Sequence, residues 1–241
     1  MIRALAALAS ALALAAQDGA VPEKPDPLTL PAAITKNRAL AAVLAAPPVT
    51  VRDFHLESPA AVARQALDEP LMLWRLAELL DGAPFTLEKA EEGAQWDVFS
   101  GGKRYVFTQG GRAGDTRVLS FTFTSGIPMA PGTRISGSGV AAMRVSEGKD
   151  GARLDFDLYM NRGGTRADKA LPKSIVDYAR LVRADLESIV SALDHAALEA
   201  VDDPEGILDE MREADDLLGA EEVEAFERIF IRSGLTAAGR K

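Results

Sequence analysis

Between residues 49 and 160 the apolar positions change their spacing twice, and those changes divide the chain into elements. Residues 49–57 read as a strand that stops at Ser58-Pro59, with Ser58 placed as an N-cap and Pro59 at the first helical position. A short helix over 60–67 follows, and Glu69-Pro70 open a second over 70–80, with Gly82 at its C′ position. Leu71, Met72, Leu73, Trp74, Leu76, Leu79 and Leu80 make that second helix apolar on nearly every side except at Arg75 and Glu78, so it must be buried or lie against another apolar surface. From Phe85 to Met160 the period falls to two and turn signals recur. Strands are expected at 85–91, 95–100, 103–109, 116–124, 133–146 and 153–160, with turns or loops at 101–102, 110–114, 128–132 and 148–151. These six strands with short connections make an antiparallel meander. Gly137 and Gly139 dilute the fifth, either letting it bend or removing bulk that leaves room for a cavity.

The period then returns to that of a helix. Pro172 opens a run to about Ala200 in which Ile175, Ala179, Val182, Leu186, Ile189, Leu193 and Ala196 form one apolar stripe ~40 Å long. Arg180, Arg183, Asp185 and Glu187 occupy its other faces. Asp203 as N-cap and Pro204 start a further helix with Ile207, Leu208, Met211 and Leu218 on one face. Gly219 breaks it, and Val223, Phe226, Ile229 and Phe230 stripe a last helix. Such a tail must dock its apolar side somewhere: on its own domain, as a lid over a cavity, or on a protein partner, another copy included. Upstream of the first strand, Pro22, Pro25, Pro27 and Pro31 read as an extended linker, with a short Ala-rich helix over 32–46.

The first residues have the pattern of an export signal. Arg3 precedes an apolar run over 4–16, and Ala13 and Ala15 fit an A-x-A cleavage site. That run is shorter than the ~20 residues needed to cross a bilayer, and its other reading is an Ala-rich N-terminal helix. The expected divisions are a signal peptide at 1–15, a Pro/Ala-rich linker at 16–48, a domain at 49–200 and an acidic tail at 201–241, with a periplasmic or secreted location. Of the net charge of −9, residues 201–241 alone contribute −7. No basic stripe remains elsewhere, so nucleic acid has no electrostatic footing. At 241 residues and 47% hydrophobic the chain has ample material for a core, and wholesale disorder is excluded. Zero cysteines exclude disulfides and a thiolate nucleophile, and with only His55 and His195 no metal or other cofactor is expected.

Over residues 49–200 the order strand, two short helices, six-stranded meander, long helix resembles the START-like helix-grip superfamily, also called the polyketide cyclase, Bet v 1-like or SRPBCC superfamily. Val51-Arg52-Asp53-Phe54-His55-Leu56-Glu57-Ser58-Pro59-Ala60-Ala61-Val62 is similar to the family's opening strand and first helix. Trp96-Asp97-Val98 and Thr133-Arg134-Ile135-Ser136-Gly137 are similar to its mid-sheet strands. The acidic tail and the export signal depart from it. A lipocalin-like barrel and a helical domain fused to a small β domain are the competing topologies. The resemblance implies an α+β fold in which a curved antiparallel sheet of about seven strands wraps the long C-terminal helix. It further implies a cavity between them for a small hydrophobic ligand, lipid, sterol-like or aromatic. Candidate lining residues are Trp96, Val98, Phe107, Leu119, Phe121, Phe123, Met143, Phe156, Leu158, Val182, Leu186 and Ile189. A plain packed core would need the same residues.

The alternatives are a divergent cyclase- or hydrolase-like enzyme on this scaffold, or an interaction module acting through the tail. For the enzyme, His55 would be the base with Asp53 or Glu57 as its orienter, the three alternating onto one face. Asp155 and Asp157 form a carboxylate pair on one strand, expected on a solvated rim, and His195 beside Asp194 is expected at the surface. Gly110-Gly111-Arg112 and Gly163-Gly164 lack the Lys-Ser/Thr or helix start of a phosphate cradle.

Overall fold

The computed structural model describes residues 26–45, 47–80, 83–89, 95–127, 130–162, 178–214 and 218–232. The expected signal peptide, Gly82, the Gly163-Gly164 loop and the helix start at Pro172 lie outside them. In chain order the elements are α1 (Ala32–Thr35), a 3-10 turn (Arg38–Leu40), α2 (Ala41–Leu44), β1 (Val49–Leu56), α3 (Ala60–Asp68) and α4 (Pro70–Leu79). Then come β2 (Thr86–Lys89), β3 (Gln95–Ser100), β4 (Lys103–Ala113), β5 (Thr116–Ile127), β6 (Ala130–Glu147) and β7 (Ala152–Arg162). The long helix α5 (Tyr178–Asp202), α6 (Pro204–Glu213), α7 (Ala220–Phe226) and a π turn (Glu227–Ile231) follow.

The strands form one seven-stranded antiparallel sheet in the order β1-β7-β6-β5-β4-β3-β2. The meander accounts for six of the strands, and β1 closes onto β7, so α3 and α4 carry the chain from one edge of the sheet to the other. β4 runs on to Ala113 and β5 to Ile127, so Gly110 and Gly111, expected in a loop, lie inside a strand at a register shift. A Cβ on Gly110 would stand 2.9 Å from Cδ1 of Ile34, which packs against that point of the sheet. Gly137 and Gly139 face Phe123 and Phe121 across the β5–β6 pair, and a Cβ on either would run into its partner's ring. The bulk they remove is therefore taken up by those two rings, not left as a void.

The inner face of the sheet, α3, α4, α5 and the tail share one core. Val182, Leu186 and Ile189 of α5 are buried in it, and the helix is pinned at two points. Near its start Asp185 accepts from Lys103 Nζ at 2.6 Å and from the Tyr105 hydroxyl, both on β4. Nine residues later, about 14 Å along the axis, Asp194 accepts from the β1–α3 junction. The tail docks on its own chain: Met211, Phe226, Ile229 and Phe230 are buried in the same core, and Arg228 pairs with Glu69. Asp203 caps α6 by accepting from Gly206 N at 3.1 Å, as its sequence position suggests.

A second, smaller core covers the outer face. Leu28, Ile34 and Val43 pack there on Val118, Val140, Ala142 and Tyr159, so residues 26–45 form a strap across the back of the sheet. This overturns the expected solvation of Asp157, which is fully buried. It accepts from Leu28 N at 2.5 Å and from Arg52 Nη1 at 2.8 Å, while Arg52 Nη2 donates to the Asp26 carbonyl. Arg52 lies at a bulge between Val51 and Phe54, where Asp53 adopts a φ of 55°. Asp155 is tied to Arg144 at 2.7 Å.

Candidate functional site

Where α5 crosses the sheet, packing is incomplete. A cavity of about 80 Å³ lies between the helices and the inner strand faces. Its sheet wall is Leu56, Phe107, Leu119, Ala141, Met143, Val145, Leu154 and Phe156. Ala63, Ala66, Leu73 and Trp74 contribute from α3 and α4, and Leu186, Ile189, Val190, Leu193, Asp194 and Ala197 from α5. Small residues at Ala63, Ala66, Ala141 and Ala197 leave the space. The partly exposed liners Leu67, Val190, Leu193 and Asp194 mark the mouth, at the seam between the end of α3 and one face of α5. The volume suits several water molecules or a short apolar group, and lies below the ~300 Å³ typical of a pocket enclosing a drug-sized ligand.

Of the twelve residues expected from the sequence, Phe107, Leu119, Met143, Phe156, Leu186 and Ile189 line this cavity. Trp96, Val98, Phe121, Phe123, Leu158 and Val182 are buried in the same core away from it. Trp96 joins two rings of the lining in an aromatic cluster: Trp74 packs edge-on to Phe107 at 4.9 Å and to Trp96 at 5.9 Å, and Trp96 stacks on Phe107 at 6.0 Å. Trp96 Nε1 is buried with no hydrogen-bond partner among the described residues.

The polar side chains of the lining are Ser58 and Asp194. Ser58 donates from Oγ to Asp194 Oδ1 at 2.5 Å and from its backbone N–H at 3.2 Å, while Glu57 N–H donates to Oδ2 at 2.6 Å. Ser58 thus does not cap α3 as expected. The helix begins one residue later, so Pro59 takes the N-cap position without a side-chain bond, and the Ser58 hydroxyl donates to the Asp194 carboxylate. Tyr105 and Lys103 meet Asp185 in a second, part-buried polar cluster beneath α5. Burial first, then the bond to Asp185 and its charge, push the Tyr105 hydroxyl far above the ordinary tyrosine range. Neither Ser58 nor Asp194 figured in the expected site, nor did Tyr105. Their partners lie 136 and 80 residues away, beyond any local pattern.

The residues weighed for catalysis are elsewhere. His55 is exposed on the edge strand, and Asp53 pairs with Arg153 at 3.0 Å. His195 Nε2 lies 3.0 Å from Glu199 on the solvent side of α5, with 71% of its side chain exposed. Among the described residues no three or more His, Asp or Glu converge as a metal site would require, and no helix is long and apolar enough to cross a membrane.

No family model matches the chain, and no curated protein matches it. Solved structures similar to it include a protein of Thermus thermophilus, 15% identical, covering 64% of this chain and 99% of that one with a TM-score of 0.35. A Chromobacterium violaceum protein is 14% identical, covering 62% and 96% with a TM-score of 0.31. The Zhui aromatase/cyclase from a Streptomyces species is 14% identical, covering 66% and 96% with a TM-score of 0.32. The sheet order and the long helix pinned across its inner face settle the architecture independently: the chain has the α+β helix-grip fold that its sequence resembles.

Proposed function

We propose that the protein binds or carries a small hydrophobic ligand, lipid, sterol-like or aromatic, between the sheet and α5. The observation that carries this reading is the incompletely filled apolar cavity with a mouth at the α3–α5 seam. A ligand with a slim apolar end fits it, the remainder lying in the mouth between Leu67 and Leu193. Phe107, Leu119, Met143, Phe156, Leu186 and Ile189 would touch that end. Trp96, Val98, Phe121, Phe123, Leu158 and Val182 would support the wall behind them. The signal-like residues 1–15 support an exported carrier, periplasmic or secreted. The tail, docked on α3 and α4, acts as a structural cover of the fold.

The test is native mass spectrometry of protein purified without detergent, followed by organic extraction. A discrete co-purifying apolar mass, absent from a folded Ala141→Leu variant, is the expected result. Clean protein that also takes up no hydrophobic probe at any concentration sinks the proposal.

A further inference from the structure

The cavity reading leaves open which chemistry the ligand presents at the mouth, and the Asp194 carboxylate answers it. Asp194 is half-buried among apolar neighbours, and Leu193, Val190 and Ala197 lie beside it on the same face of α5. A carboxylate offers about four acceptor positions. Three are used: Ser58 Oγ and N–H on Oδ1, and Glu57 N–H on Oδ2. By this count one acceptor position on Oδ2 is left. The single hydroxyl proton of Ser58 is already given to Asp194, so that side chain cannot serve an incoming anion. No lysine, arginine or histidine stands among the described lining residues. An anionic head would therefore meet a like charge without a counter-ion at a half-buried mouth, where charges are screened less than in open solvent.

Resting on the cavity reading above, we infer that the ligand is an amphiphile whose polar end donates a hydrogen bond to Asp194 and carries no negative charge. Alcohols and amines whose slim apolar end enters the cavity fit this site, and carboxylic acids of the same shape do not. Asp194 then has two tasks, holding the β1–α3 junction against α5 and selecting the head group.

The experiment uses the full chain and three ligands with one ten-carbon tail: 1-decanol, decylammonium and decanoate. Binding is read from the fluorescence of the two tryptophans, of which Trp74 lines the cavity. Both charged ligands lose hydration on entering, so their ratio isolates the sign of the charge. At 150 mM salt decylammonium and 1-decanol are expected to bind, with decanoate at least about tenfold weaker than decylammonium. In Asp194→Asn, which keeps an acceptor for Ser58, that ratio should fall to about threefold or less. If the variant does not fold, Leu193→Lys supplies the missing counter-charge and should strengthen decanoate about tenfold. Decanoate binding as well as decylammonium to the unaltered protein, or a ratio indifferent to these substitutions, overturns the inference and leaves the cavity reading standing. Failure of all three ligands to bind overturns both.

Discussion

Replacing Ala141 by leucine adds three carbons to the cavity wall, and the sign of its effect separates a real void from a packed core. Ala141 lies in β6 between Leu119 of β5 and Leu158 of β7, 5% exposed, with its side chain toward the cavity. An unfilled volume of about 80 Å³, at roughly 24 cal/mol per Å³, costs the apo protein about 2 kcal/mol. Burying three further carbons at ~0.8 kcal/mol each offers a gain of the same size. Ala141→Leu should therefore raise apo stability by about 1–2 kcal/mol while abolishing uptake of hydrophobic probes. The control is two residues away on the same face. Gly139→Ala adds one carbon, but its Cβ meets the Phe121 ring, so it should lose about 1–3 kcal/mol. Urea unfolding of both variants, with the slope of each transition compared with the parent, gives the two differences. If Ala141→Leu is destabilised like Gly139→Ala, the space is not available to atoms and the cavity argument fails.

The other predictions probe the fold around the site. Phe230→Ala removes a fully buried ring of the tail and should cost about 3–5 kcal/mol; a loss below ~1 kcal/mol in urea would show that the tail is not part of the core. Asp157→Ala leaves Arg52 without its buried partner and removes the acceptor of Leu28 N–H. A loss of about 3–5 kcal/mol is expected, with new protease cleavage within residues 26–45, and an unchanged digestion pattern would contradict the strap. Tyr105→Phe alters the alkaline limb of stability. The folded protein keeps the Tyr105 proton well above pH 10, where the unfolded chain releases it. Stability is thus full below pH 10 and falls above it by about 1.4 kcal/mol per pH unit for this group. The variant should lose that increment of slope, and an identical slope from pH 9 to 11 would refute the assignment.

What could be read in the sequence, and what could not, follows the range of the interactions. The meander, the helix pair after β1 and the α5 stripe rest on local periodicity, and among the described residues each is found in the order the period gives, with β4 running on through the expected loop at 110–113. The strap is different. Leu28, Ile34 and Val43 lie among prolines and alanines without a period, which reads as linker. Its trace lies on the sheet instead: Val118, Val140, Ala142 and Tyr159 are apolar residues on the face that alternation assigns to solvent. An outward face with four such residues already asks for a cover.

The polar part of the site is hidden for another reason. Ser58 in Ser-Pro before a helix has a satisfactory local role as a cap, and local reasoning stops there. In the fold the helix starts one residue later, with Pro59 at the N-cap, and the Ser58 hydroxyl and two neighbouring N–H groups donate to a carboxylate from α5. Asp194 in turn sits beside the apolar stripe, next to Leu193, where helical spacing reads it as the edge of a solvated face. The edge of a stripe is also where a cavity between helix and sheet must open, since the stripe's centre is sealed by the core. A polar residue at that margin is thus positioned to meet the head of a ligand whose tail lies among the residues of the stripe. Alternation and heptad-like spacing find the walls of such a cavity; its chemistry stands at their borders.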